Sequence, residues 1–306
     1  MKKHHNRRLK VSIAVSVAFL ILCTPSMSLG WGAGGHMMTA QIAFSQLNRT
    51  AKAKTRELLA IPISPAEVSK KSTNFLNASH WADDLRPFSE FDPLKPLHFI
   101  DKPFSLDNTP LPTNLPAENI VKALEDNVEI LKNSTDKNQQ ALALRLIIHF
   151  VGDIHQPLHC GTQVTAQLTD GDRGGNLFKI RIPSGNGQFK NSNLHSYWDG
   201  GIGNFPKTGP NFAPPSLRSV RRAAALVRAN YPATNPDLNL DDPFNFNGWA
   251  EESNELAKGV AYRGIQDGGK PSARYNRRAV RVARKRVAWG GYRLAALLNS
   301  IWPEND

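Results

Sequence analysis

Histidine and aspartate recur at helical spacing in this chain of 306 residues. His149 and Asp153 stand at i and i+4 within LALRLIIHFVGDIHQPLH, the stretch from Leu142 to His159. One turn of helix would put both side chains on the same face. Pro157 would then end the helix and leave His159 on the connection that follows. Around the pair, Leu144, Leu146, Ile147, Ile148, Phe150 and Val151 are apolar on most sides, the pattern of a helix buried inside a bundle. An unpaired carboxylate is costly to bury, so Asp153 needs a compensating cation. A metal ion is one choice, and mixed imidazole and carboxylate ligands suit zinc better than calcium or magnesium, which prefer oxygen alone. A hydrogen-bonded or solvated His–Asp pair is the other, and these two residues alone do not separate the two.

Further candidates lie along the chain. His36 falls in WGAGGH, Asp83 in ASHWADDLR, His98 in LHFID, and NLHSYWD repeats the i, i+4 interval with His195 and Asp199. Each piece alone has a bland explanation: Trp31 and Trp81 as core aromatics, His98 as a satisfied core histidine, His195 with Asp199 as a surface pair. Five such pieces in one chain favour a polynuclear metal site.

Elements that would position these residues are mainly helical. Apolar periodicity predicts helices over 37–47 continuing to 59, then 117–131, 139–154, 217–229, 249–262 and 274–301. Strand signals are confined to short pieces such as FKIRI at 178–182. SGNGQF, at 184–189, reads as a flexible turn, and 204–215 as an irregular connection rich in Pro and Asn. The expected fold is a mainly α bundle with a small β-hairpin.

Residues 1–30 read as a cleaved signal peptide. Lys2, Lys3, Arg7, Arg8 and Lys10 form a basic start, 11–23 is apolar but short for a bilayer span, and Ser28 and Gly30 are the small residues a signal peptidase needs. Cleavage before Trp31 would leave a single domain, 31–306, in a secreted or periplasmic protein. It would remove five basic and no acidic residues, lowering the formal net charge from +12 to +7. A basic chain favours polyanionic partners, nucleic acid first. Cys160 would be the one cysteine left, so no intramolecular disulfide is available, and if the fold is stapled, metals must do it.

Taken in order, Trp31 and His36, Trp81-Ala82-Asp83 with Arg86, Leu97-His98-Phe99-Ile100-Asp101, His149-x3-Asp153-x5-His159, Gly174-Gly175-Asn176 and Asn193-Leu194-His195-x2-Trp198-Asp199 resemble the zinc-dependent single-strand-specific nucleases and 3′-nucleotidases. The resemblance spans essentially the whole chain after residue 30. It implies three zinc ions in a mostly helical fold shared with bacterial zinc phospholipase C. Carried over, Asp83, His98, His149 and Asp153 would hold one zinc, and His159, His195 and Asp199 a second. The third would take the α-amino group and carbonyl oxygen of Trp31 together with His36, sharing Asp153. An amine inside a peptide bond cannot bind zinc, so signal cleavage would complete the site.

The resemblance also implies roles. Zinc lowers the pKa of water to ~7, which would supply a nucleophile for in-line attack on phosphorus. Arg86 and Asn176 would stabilise the charge building on the phosphoryl oxygens. Phe99 and Asp101 would hold a nucleobase, and stacking on Phe99 needs an unpaired base, a physical reason for preferring single strands; packing beside a buried ligand is the alternative for Phe99. Single-stranded DNA, RNA and 3′-nucleotides would be the substrates, with no protein partner implied. His80 and His155 match no ligand position and are expected to be supporting or surface residues. A phospholipase C of the same fold is the nearest rival, although such enzymes carry His-x3-Glu where this chain has His195-x3-Asp199. A non-catalytic zinc-stabilised binding protein is a rival from another class.

Arg221, Arg222, Arg228, Arg277, Arg278, Arg281, Arg284, Lys285, Arg286 and Arg293 gather in the last third. They could guide a nucleic-acid backbone, but a solvated helix face is the expectation. Leu294, Leu297, Leu298 and Ile301 mark the buried face of the last helix.

Overall fold

The computed structural model describes residues 30–65, 68, 71–209 and 213–304. Apart from Gly30, the signal-peptide segment therefore lies outside the described residues. In chain order the helices are α1 (Ala33–Gln46), α2 (Arg49–Leu59), two single turns α3 (Phe75–Ala78) and α4 (Trp81–Asp84), α5 (Ile120–Asn133), α6 (Lys137–Ile154), α7 (Leu194–Asp199), α8 (Leu217–Asn230), α9 (Phe246–Leu256) and α10 (Ala273–Ile301). A 3₁₀ segment covers Ser89–His98, and a π-turn, Ala257–Ala261, continues α9. Strands β1 (Pro103–Ser105) and β2 (Thr162–Val164) pair in parallel; β3 (Lys179–Gly185) and β4 (Gln188–Asn193) form an antiparallel hairpin.

α6 lies at the centre. Asp136 caps it by accepting from the Asn138 amide at 2.8 Å, which satisfies one of the otherwise unpaired N–H groups of the first turn. From Ala143 to Ile154 every residue is buried. α1 and α10 pack against one another and against α6, and α5 covers a further side. One buried charge in α6 escapes the sequence pattern: Arg145 is fully buried and, among the described residues, has no carboxylate partner. Its guanidinium donates instead to Ser72 Oγ at 3.0 Å and to the carbonyls of Leu59 and Ile61 at 3.0 and 3.1 Å. It closes the C-terminal end of α2, where unpaired carbonyls and the helix dipole favour a cation.

The expected single run from 37 to 59 breaks at Leu47–Asn48, where Asn48 caps α2 by accepting from the Ala51 amide at 2.7 Å. Nor is 184–189 a loose turn. Asn186 and Gly187 both take positive φ (49° and 69°), and this tight turn lets the hairpin pair down to Gly185 and Gln188. The parallel pair β1–β2 was not legible, because three residues carry no periodicity. It matters to function, since it aligns the two segments that follow His98 and His159.

A second correction concerns the basic C-terminal third. Most of its arginines are exposed, but Arg286 and Arg293 are both 1 % exposed and share one carboxylate. Arg286 Nη1 lies 2.7 Å from Glu252 Oε2, and Arg293 reaches both oxygens of Glu252 at 2.6 and 2.7 Å. Arg286 also donates to the carbonyl of His155 at 3.2 Å, so α10 holds the C-terminal end of α6.

Candidate metal centre

Three segments, α1, α4 and the 3₁₀ segment, converge on the last turns of α6. His149 and Asp153 face the same side, as their spacing requires, with His149 Nε2 at 3.0 Å from Asp153 Oδ2. His98, at the end of the 3₁₀ segment, brings Nδ1 to 2.9 Å from the same oxygen. From α1, His36 points Nε2 at the other oxygen, Oδ1, at 3.2 Å. Asp83 of α4 comes within 3.8 Å of His149 Nε2 and 4.0 Å of His36 Nε2. Close to this cluster, His159, His195 and Asp199 form a second one, with His195 Nε2 at 3.5 Å from Asp199 Oδ1 and the rings of His159 and His195 4.9 Å apart. Asp153 Oδ1 lies 3.9 Å from His159 Nδ1 and so borders both.

The rings are oriented from behind. His149, His159 and His195 each donate Nδ1–H to a backbone carbonyl, those of Ser79, His98 and Gly174, at 2.7, 2.6 and 2.7 Å. That fixes the tautomer and leaves Nε2 as a lone-pair donor, the arrangement of metal-binding histidine. His98 differs by turning Nδ1 inward. Two glycines make room. A side chain at Gly152 would begin 2.6 Å from His36 Nδ1; one at Gly174 (φ +60°) would begin 2.2 Å from the carbonyl oxygen of Leu158.

The site is buried, and several of its atoms lack partners. His36 Nε2, His159 Nε2, His195 Nε2 and Asp153 Oδ1 are buried and make no hydrogen bond, although they point at one another. Unpaired lone pairs facing each other in a buried pocket are costly. A cation between them removes the cost. Three groups place their ligand atoms within 4.8 Å of one another: His36, Asp83 and His149; His98, His149 and Asp153; and His159, His195 and Asp199. The donor set, imidazole nitrogen with carboxylate oxygen, fits zinc.

Electrostatics agree with a cation site. Burial lowers the pKa of His36 to about 4, helped by the nearby His149. Burial and then His159 hold His195 well below the usual histidine range. For His149 burial also acts downward, but Asp153 and Asp83 overcome it and raise the value to about 9. Asp153 is pulled well below the carboxylate range despite its burial, by His149, His159 and His36. A single carboxylate thus serves several rings.

The remaining candidates surround the cluster. Arg86 reaches Asp83 Oδ1 at 2.8 Å. Asn176 donates to the Arg173 carbonyl at 2.8 Å, with its amide nitrogen 3.2 Å from His195 Nδ1. Phe99 is half-buried and is not among the aromatic residues packed into the core. Asp101 is pushed up to about 7 by burial and then by Asp172. Trp31 is fully buried, its ring 5.3 Å from that of Phe205. Gly30 precedes it in the pocket: a side chain there would begin 1.6 Å from Asp153 Oδ1 and 3.0 Å from His36 Nε2.

His80 and His155 stand outside the three groups, and both are buried. His80 Nδ1 pairs with Asp84 at 3.1 Å, and His155 Nδ1 donates to the Val151 carbonyl at 2.8 Å. Two supporting residues went unread in the sequence. Gln156 donates from Nε2 to Asp199 Oδ1 at 2.8 Å, and Asp172 Oδ1 accepts from the Gly175 amide at 2.9 Å and the Tyr262 hydroxyl at 2.8 Å, holding the loop that carries Asn176. Gln156 had a signal: an amide in an apolar run between Asp153 and His159.

The fold is mainly helical and carries three buried groups of histidine and aspartate able to hold metal ions, an arrangement consistent with a class of metal-using enzymes. Residues 31–303 match the family model described as S1/P1 Nuclease, and the chain belongs to that family. It is 28% identical to Endonuclease 3 of Arabidopsis thaliana over 286 residues, 90% of each chain. It is 25% identical to Nuclease S1 of Aspergillus oryzae over 308 residues, covering 94% of this chain and 97% of that one. Nuclease P1 of Penicillium citrinum is 25% identical over 288 residues, 89% of this chain and 97% of the relative. Family membership makes the protein a nuclease, a hydrolase of phosphodiester bonds. No helix among the described residues is long and apolar enough to cross a membrane.

Proposed function

We propose that the protein is a secreted or periplasmic three-zinc endonuclease that cleaves single-stranded DNA and RNA to 5′-phosphorylated products and also acts as a 3′-nucleotidase. The observation that supports this best is the set of buried, unpartnered ligand atoms converging on Asp153. Asp83, His98, His149 and Asp153 would hold one zinc. His159, His195 and Asp199 would hold a second, and His36 with the amine and carbonyl of Trp31 a third, sharing Asp153. Removal of residues 1–30 as a signal peptide, leaving the single domain 31–306, would free that amine where Gly30 now abuts Asp153. Zinc at these positions would supply Lewis acidity and an ionised water near neutral pH.

The chain's own groups do the rest. Arg86, steered by its contact with Asp83, and the second N–H of Asn176, left over after its bond to Arg173, can donate to phosphoryl oxygens. Phe99, outside the apolar core, is free to stack a base, and Asp101 can hydrogen-bond the base edge. Both contacts require a base that is not paired within a duplex.

The test is hydrolysis of single-stranded DNA, duplex DNA, RNA, a 3′-nucleotide and phosphatidylcholine by protein beginning at Trp31, with zinc measured on the same sample. Single-strand cleavage with about three zincs per chain is expected. One extra residue before Trp31 should lower both zinc content and rate. Lipid cleavage without nucleic-acid cleavage would transfer the protein to the phospholipase branch of the fold.

A further inference from the structure

α10 carries a stripe of charge that the catalytic site does not use. Across its 29 residues the helix contains eight Arg and Lys residues and no Asp or Glu. Arg286 and Arg293 are buried on Glu252, Lys285 pairs with Asp237 at 2.9 Å, and Arg278 donates to the backbone carbonyls of Val260 and Arg263. That leaves Arg274, Arg277, Arg281 and Arg284. All four are exposed, and among the described residues none pairs with a carboxylate. At 100° per residue they fall within about 80° of the helix circumference and span about 15 Å of its length. A solvated helix face normally mixes signs, and like charges three and four residues apart destabilise a helix. Here the repulsion is left uncompensated within the chain.

The stripe starts next to the contact of α10 with α7, the helix of His195 and Asp199: immediately after Arg274, Tyr275 Oη accepts from Trp198 Nε1 at 2.9 Å, and Asn276 Oδ1 accepts from the Tyr197 hydroxyl at 3.1 Å. We propose that Arg274, Arg277, Arg281 and Arg284 form a track that binds the phosphate backbone of a polynucleotide beyond the nucleotides at the cleaved bond. This rests on the nuclease reading above and adds that long strands are the preferred substrate. Membrane binding is disfavoured, because an interfacial helix would combine basic residues with exposed apolar ones. Among the described residues, no exposed large hydrophobic side chain lies on α10.

The experiment compares the metal-loaded enzyme with R277Q/R281Q/R284Q and with the triple lysine variant at the same positions. Substrates are a long single strand and a dinucleoside monophosphate. For the glutamine variant, kcat/KM on the long strand should fall about ten-fold at low salt, and the plot of log(kcat/KM) against log[salt] should become shallower by about 2, since each lost phosphate contact to a single strand is worth about 0.7. Dinucleotide cleavage and zinc content should not change, and the lysine variant should keep most of the long-strand rate. Equal loss on both substrates, or no loss on the long strand, overturns the track. Binding of a phosphorothioate single strand, followed by anisotropy, separates the two ideas: wild-type protein that cleaves neither substrate defeats the nuclease reading, while the track still predicts weaker binding by the glutamine variant. Loss of binding to anionic phosphatidylglycerol vesicles, with strand binding intact, would overturn it in favour of a membrane surface.

Discussion

Asn176 and Asp101 can be tested separately because the proposed roles concern different parts of the substrate. If Asn176 meets charge that develops during reaction, as proposed, Asn176→Ala should lower kcat by about 10² to 10³ with little change in KM. If Asp101 holds a base, Asp101→Asn should raise KM and leave kcat nearly intact. Its carboxyl is raised to about 7, mainly by burial. An acid whose folded pKa lies above its unfolded one destabilises the fold when ionised, a penalty that grows as pH rises from ~4 and is complete above ~7. Asp101→Asn should therefore raise the melting temperature most at pH 8, by at most a few kcal/mol of stability, and the gain should vanish toward pH 4. Scanning calorimetry of both proteins across that range checks the sign.

Among the elements, α6 and α10 depend on one another through Glu252. Removing one member of a buried ion network leaves the other charges uncompensated, and here two buried arginines would keep only neutral acceptors such as the carbonyls of His155 and Asn239. Glu252→Ala should destabilise the protein by about 3 kcal/mol in urea unfolding. The change should also loosen the end of α6 that carries Asp153, because Arg286 holds the His155 carbonyl. This network shows where sequence reading stopped. The i, i+4 pairs His149–Asp153 and His195–Asp199 announce their shared faces through helical geometry alone, and the long helices follow from apolar period. Arg286 and Arg293 looked like members of a solvated basic face, because nothing local marks Glu252 on another helix as their partner. Likewise, the β1–β2 pair and the carbonyls behind His149, His159 and His195 are backbone features created by tertiary approach. No residue type encodes them.

For the molecule as a whole, cohesion is expected to come from metal and not from sulfur. Cys160 is buried and unpaired, and its thiol is pushed up to about 12 by burial. Reducing agent should leave the melting temperature unchanged, whereas chelation should lower it substantially and added zinc restore it, because ions that bind only the folded chain add their binding energy to its stability. Differential scanning fluorimetry with each reagent decides between the two.

The position of Gly30 against Asp153 has a consequence for the producing cell. If the proposed RNA cleavage holds, the enzyme would endanger the messages from which it is translated. With Gly30 held against Asp153 and His36 and residues 1–30 read as a signal peptide, the chain as first made would have a defective centre, and the proposed cut that removes its export signal would be the same event that arms it. Toxicity and topology would be solved by one proteolytic step, with no separate inhibitor protein needed on the side of the membrane where synthesis occurs.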